Sequence, residues 1–256
     1  MKIFLIIEND VFFLPEYTER VIENRRFDIV GISPIMAREK LFKKAIKYFR
    51  LFGFIPFLVL SLKTLFYKSL DLLSLFIKFK RCYSVNGVAR KYKLPIYPTK
   101  NVNLPKYIEI IRKLQPDVIV SSCGQIFKEE LLNLPKLGCI NRHTALLPKY
   151  RGLFPVYWAL ANGEQEIGVT IHFMKKEIDA GDIIVQEKIK VRSNDSLYSL
   201  YKESYNLSVN LTLEALKRIE SKEVFPIKNQ DVRAPYYSFP NAWAIKNFSK
   251  NGHKII

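Results

Sequence analysis

A chain of 256 residues has room for one large domain, or for one domain with a small appendage. Its apolar share of 48% excludes a disordered chain. The formal net charge of +17 points to anionic partners without choosing among nucleic acid, anionic lipid and phosphorylated small molecules. The three cysteines, Cys82, Cys123 and Cys139, stand 41 and 16 positions apart (123 − 82 and 139 − 123). That spacing fits no zinc pattern, and a sparse, odd set argues for a reducing compartment, so a cytoplasmic setting is expected.

In chain order, Met1–Glu8 has too short an apolar run for a signal peptide and reads as a first strand over Lys2–Ile7. Pro15–Glu23 reads as a helix with proline early, where a missing N–H costs little. Phe27–Ile32 is a second strand, Ser84–Tyr92 a helix, Leu94–Tyr97 a short strand, and Lys106–Leu114 a helix. Asp117–Ser121 is a strand, Lys128–Leu132 a short helix and Gly138–His143 a strand. This alternation predicts an α/β fold, a Rossmann-like, mainly parallel sheet with helices on both faces. Uniformly apolar strands such as Val118-Ile119-Val120 fit that burial. Asp195–Ser221 reads as a long amphipathic helix with Asp195 as N-cap, and residues 231–256 as a tail. The expected division is a catalytic domain over 1–191 and a C-terminal helix and tail over 192–256.

Residues 38–81 stand apart. They hold 11 Lys and Arg against Glu39 and Asp71, a net of +9, interleaved with Phe and Leu. The longest uncharged run, Leu51–Leu62, has 12 residues, whereas a membrane-spanning helix needs roughly 20. A basic amphipathic helical hairpin is expected, either packed on the sheet with a solvated face or meeting a membrane surface or an acidic partner.

Chemistry concentrates in two stretches. In Gly138–Gly152, Asn141 and His143 lie two apart on a strand and so share a side. They stand at its carboxyl end, where open α/β sheets place ligands, and Pro148 and Gly152 then demand a shaped loop. In Gly168–Ile184, a strand gives way to the turn Glu177-Ile178-Asp179-Ala180-Gly181-Asp182, whose carboxylates could hold an imidazole and favour its cation.

Together, Asn141-Arg142-His143 with Leu146-Leu147-Pro148-Lys149-Tyr150-Arg151-Gly152, and then Gly168-Val169-Thr170 with Ile178–Ile184, resemble the signatures of folate-dependent formyltransferases. The resemblance covers about Leu94 to Val191. It implies an enzyme that moves a formyl group from 10-formyltetrahydrofolate, as co-substrate, to an amine, with no metal. Asn141, His143 and Asp179 match the catalytic positions. Ser122, Cys123, Gly124, Gln125 and Ile126, together with Glu177, Ile178, Ala180, Gly181 and Asp182, match the folate-binding segments. Arg151 and Gly152 are candidate acceptor contacts, Arg151 equally a loop brace. The favoured acceptor is a small phosphorylated amine such as a nucleotide-linked amino sugar. The alternatives are methionyl-tRNA and an inactive binding module that meets a membrane surface through 38–81. Thr144-Ala145 and Arg142 depart from the pattern.

Overall fold

The computed structural model describes residues 1–36, 41–229 and 235–256. Arg38, Glu39 and Lys40 of the basic segment, and 231–234 at the start of the tail, lie outside the described residues. The chain forms two compact units, Met1–Lys136 and Leu137–Ile256.

The first unit is built on β1 (Lys2–Glu8), which pairs in parallel with β2 (Asp28–Ile35) on one side and β3 (Val118–Ser122) on the other. Ile3 to Ile7 and Val118 to Val120 are buried, as strands covered on both faces require. Helix α1 (Leu14–Glu23) turns Leu14, Tyr17, Val21 and Ile22 inward. Asp10 Oδ1 accepts from the N–H groups of Phe12, Phe13 and Leu14 and so satisfies its open start. The basic segment folds as two helices, α2 (Leu41–Phe52) and α3 (Phe54–Leu73), joined at Gly53 with φ +76°. The expected helices are therefore present in the described part of the segment. Helix α4 (Val85–Lys91) is capped by the Ser84 hydroxyl, which accepts from Gly87 N–H at 2.9 Å. Helices α5 (Pro105–Leu114) and α6 (Glu129–Leu132) complete the unit. The short strand expected at Leu94–Tyr97 is a single bridge, Ile96 to Ile32, because Pro95 has no N–H to give to a ladder.

The second unit centres on β6 (Glu166–Phe173), antiparallel to both β4 (Cys139–His143) and β7 (Ile183–Lys190). The α/β class holds throughout, with parallel pairs around β1 in the first unit and antiparallel pairs around β6 in the second. Two-residue strand β5 (Arg151–Gly152) runs into α7 (Pro155–Ala161), every residue of which is buried. Helix α8 (Leu197–Ser221) packs against β6 and β7 through a face that includes Leu200, Ala215, Leu216 and Ile219. The boundary expected at 191 falls inside this unit, between β7 and α8.

The N-cap of α8 is Ser196, not Asp195. Ser196 and Ser199 exchange side-chain and backbone bonds in a capping box, and Asp195 supports it by accepting from Ser199 Oγ at 3.0 Å. The segment expected to be a tail carries regular structure. Strand β8 (Tyr236–Tyr237) pairs with β5, and α9 (Ala242–Lys250), capped by Asn241, stacks Phe248 on Tyr157 with ring centroids 4.4 Å apart. Among the described residues, no helix is long and apolar enough to cross a membrane.

Candidate active site

Period-two alternation along β4 puts Asn141 and His143 on one side, and antiparallel pairing sets His172 of β6 directly opposite Asn141. The turn after β6 then swings Asp179 toward them. Its backbone adopts φ +49°, a left-handed geometry that side chains disfavour. Asp179 Oδ2 lies 3.6 Å from His143 Nδ1, and Oδ1 lies 3.6 Å from His172 Nε2. The Asn141 amide donates to His172 Nε2 at 3.3 Å and to Asp179 Oδ1 at 3.4 Å. The amide, imidazole and carboxylate expected to act together therefore converge, with a second imidazole added.

No motif in the sequence singles out His172. Its Nδ1–H donates to the Phe173 carbonyl at 2.7 Å, which leaves Nε2 as the acceptor for Asn141. The available cue is its place on a stretch that reads as strand, but the cue becomes useful only with an antiparallel partner for β4.

His143 is anchored from behind. Its Nε2 lies 2.8 Å from the Tyr150 carbonyl, which can only accept, so the hydrogen sits on Nε2 and the Nδ1 lone pair faces Asp179. Burial pushes the imidazole pKa below its usual value, opposed by Asp179 and by the Tyr150 carbonyl. Burial alone would raise the pKa of Asp179. His143, His172 and the Gly152 N–H together outweigh it and hold the carboxyl well below the usual range. At neutral pH the site thus pairs a neutral imidazole with a carboxylate.

The loop between β4 and β5 is held by Thr170. Its hydroxyl donates to the Ala145 carbonyl at 2.6 Å and accepts from Leu147 N–H and from Gln186 Nε2. Ala145 itself is buried, so the departure at Thr144-Ala145 leaves the loop fixed through its backbone. Arg142, the other departure, lays its guanidinium 4.1 Å from the Tyr205 ring centroid on α8 and donates to the Tyr205 hydroxyl at 3.1 Å.

Of the remaining candidates in this unit, Gly152 N–H donates to Asp179 Oδ2 at 2.8 Å. Arg151 Nε donates to the Ile178 carbonyl at 2.8 Å and so braces the turn. Gly181 packs so tightly that a Cβ would sit 1.6 Å from the Phe173 carbonyl oxygen. Asp182 pairs with Lys175, Ile178 and Ala180 are half-buried, and Glu177 is exposed. Asn229, which no sequence motif marks, donates to the Asp179 and Gly181 carbonyls at 2.9 and 3.2 Å and pins the turn.

Ser122, Cys123, Gly124, Gln125 and Ile126 lie in the first unit, at the carboxyl end of β3. Gln125 braces a neighbouring loop, donating to the Lys100 carbonyl and accepting from Val102 N–H. The Ile126 carbonyl accepts from Asn103. Ser122 is buried and Gly124 exposed. Burial pushes the Cys123 thiol up to about 11, so it is no nucleophile at neutral pH. No cluster of three or more His, Cys, Asp or Glu among the described residues is arranged to hold a metal ion.

A family model described as formyl transferase matches residues 76–216. The chain belongs to that family. It is 41% identical over 141 residues to methionyl-tRNA formyltransferase of Kosmotoga olearia, covering 55% of this chain and 45% of the relative. It is 35% identical over 191 residues to that of Caldanaerobacter subterraneus subsp. tengcongensis, covering 70% and 62%. It thus spans roughly half to two thirds of these relatives. Among solved structures, a phosphoribosylglycinamide formyltransferase from Bacillus halodurans shares the fold with TM-score 0.61 at 15% identity, covering 87% of this chain and 97% of that one. A sugar N-formyltransferase from Shewanella sp FDAARGOS_354 does so with TM-score 0.61 at 18% identity, covering 98% and 88%.

Proposed function

We propose that the protein is an N-formyltransferase that moves the formyl group of 10-formyltetrahydrofolate to a primary amine. The convergence of Asn141, His143 and Asp179 carries this reading. The donor set suits such a co-substrate, because it offers an amide, an imidazole and a carboxylate rather than a cation-binding cage. The folate supplies an already activated formyl group, and the chain's residues position it and move protons. The Asn141 N–H groups donate to the formyl oxygen as charge develops there. Neutral His143 takes a proton from the attacking amine at Nδ1, and Asp179 stabilises the imidazolium formed. The same proton then goes to the departing folate nitrogen, so the products are a formamide and tetrahydrofolate, with His143 neutral again. Arg151, Gly152 and Asn229 keep the Asp179 turn in place. Within the second unit, residues 177–182 are the segment proposed to contact the folate.

For the acceptor, the relatives favour methionyl-tRNA over the nucleotide-linked amino sugar expected from the sequence alone. Several named methionyl-tRNA formyltransferases share 35–41% identity with the chain, whereas the sugar enzyme shares the fold at 18%. A structural neighbour solved with dTDP and 5-N-formyl-THF is described as a sugar 3N-formyl transferase, which keeps the second acceptor in view. The division expected from the sequence, with chemistry in 1–191, becomes part of the proposal, with the tail meeting the site through the pairing of β8 with Gly152. A cytoplasmic setting is likewise proposed, in keeping with three free thiols.

The test incubates the protein with 10-formyltetrahydrofolate and, separately, methionyl-tRNA and a set of nucleotide-linked amino sugars. Folate turnover and formylation of the acceptor are both read. Turnover with methionyl-tRNA alone supports the favoured acceptor, and turnover with a sugar alone reassigns it. A folded protein that turns over folate with neither overturns the enzyme reading.

A further inference from the structure

We propose that α2, α3 and the turn that follows them, residues 41–80, form a surface that docks the protein on an anionic lipid membrane. The inference is independent of the formyl-transfer reading, and most of this segment lies before the family match, which begins at residue 76.

A helix packed on a globular body turns its apolar face inward. Helix α3 does the reverse. None of its residues is buried, and Ile55, Leu58, Leu62, Leu65, Leu72 and Leu73 follow helical spacing along an exposed stripe, with Leu62 57% and Leu65 62% exposed. At about 1.5 Å per residue its 20 residues extend about 30 Å. Helix α2 repeats the pattern with Phe42, Ile46 and Phe49, and Phe49 meets Phe57 of α3 edge-on at 5.6 Å. After α3, the exposed Leu75, Phe76 and Ile77 extend the same kind of surface. Patches of this size on soluble proteins mark a contact site.

The opposite side of the pair is tied to the body of the first unit. Tyr67 lies against Phe12 and Tyr83, and the Arg81 guanidinium sits over its ring. The one acid in 41–80, Asp71, accepts from the Ser84 hydroxyl at 2.6 Å and from Arg90 at 3.3 Å. Negative charge is thereby drawn to the anchored side. The same segment carries eight basic residues, among them Lys43, Lys47, Lys63, Lys68 and Lys78.

Charge decides the occupant. A second copy would set eight basic residues against eight more, within two chains of +17 each. A bilayer with anionic headgroups accepts the apolar side chains below its surface and the cations at it. With no spanning helix among the described residues, the contact proposed is peripheral.

The experiment is co-sedimentation of the full chain with vesicles of phosphatidylcholine alone, and of phosphatidylcholine with phosphatidylglycerol. Partition is expected to be about tenfold or more stronger onto the anionic vesicles and to decline as salt rises. The double variant Leu58→Glu/Leu62→Glu is expected to lose it while keeping its circular dichroism and unfolding midpoint, since both side chains are already exposed. Lys68→Glu/Lys78→Glu is expected to weaken it by about tenfold and to flatten the salt dependence. Equal partition onto both vesicle types, no partition by the wild-type chain, or concentration-dependent self-association removed by Leu58→Glu/Leu62→Glu without vesicle binding would each overturn the proposal.

Discussion

The Gly152 N–H donates to Asp179 Oδ2 at 2.8 Å, from a backbone with φ +101° in which a Cβ would sit 2.2 Å from the Tyr237 carbonyl oxygen. The Asp179 carboxylate is therefore held by a residue that has to be glycine for two separate reasons. Tyr150, Phe154 and Asp179 also adopt positive φ within the same loops. Such strain persists where the surroundings over-determine it.

Gly152→Ala tests that relationship. The left-handed backbone and the clash with β8 act together, so a stability loss of about 2–4 kcal/mol is expected. Urea unfolding followed by circular dichroism measures it. A loss within experimental error would mean that β5 and β8 can part at no cost.

Asn141→Ala removes the amide proposed to meet developing charge. The turnover number is expected to fall about 10²–10³-fold with little change in KM, since the interaction strengthens only as the reaction proceeds. A variant that raises KM and keeps its turnover number would place Asn141 in binding instead.

Asp179→Asn keeps the shape of the turn but removes the charge beside His143. Burial then acts on the imidazole with less opposition, so its pKa should fall further. With His143 as the proposed base, the acid limb of the kcat/KM profile is expected to move to lower pH, with the plateau about 10²–10⁴-fold lower. An unmoved acid limb would show that another group titrates there.

How much of this is readable in the sequence depends on which contacts are local. The shared side of Asn141 and His143 follows from strand periodicity alone, and the family signature brings Asp179 to them. His172 reaches the group through cross-strand pairing, and the expectation of a mainly parallel sheet hides an antiparallel partner. Asn229 reaches the turn from 50 residues away, beyond any pattern of period two or 3.6. The paired strand β8 is invisible for the same reason, because two residues gain strand geometry only from the partner they meet. Helix α9 does carry a local signal, Asn241 before an apolar run, within the stretch expected to be a tail. Residues 38–81 are legible as basic helices, but which face points outward is a tertiary fact.

Acid should destabilise the protein in two steps. His143 and Asp179 both have folded pKa values below their ordinary ones, so on acidification the unfolded chain binds each proton first. The His143 contribution is fully present above about pH 6.5, its unfolded value, and is lost as pH falls toward the folded value. The Asp179 contribution is present above about pH 3.9 and is lost below that. His253, lowered by burial, adds to the upper step. Unfolding midpoints measured across this range are expected to decline from about pH 6.5 downward, and His143→Gln should shallow the upper step and, because His143 is the foremost influence lowering Asp179, shrink the lower one as well. An identical upper slope in wild type and variant would show that His143 is not the group responsible.

Arg142 departs from the family signature, and it contacts Tyr205 twice, over the ring and at the hydroxyl. The pair links β4, which carries Asn141 and His143, to α8. An arginine stacked on a half-buried ring buries its stem and keeps a donor for the phenol, which an aliphatic side chain cannot do. Arg142→Leu and Tyr205→Leu should each destabilise the fold, and the double variant should cost less than their sum. A coupling of about 1 kcal/mol is expected from chemical denaturation of the four proteins. Strict additivity would show that the two residues contribute through separate neighbours and that the contact is incidental to holding β4 on α8.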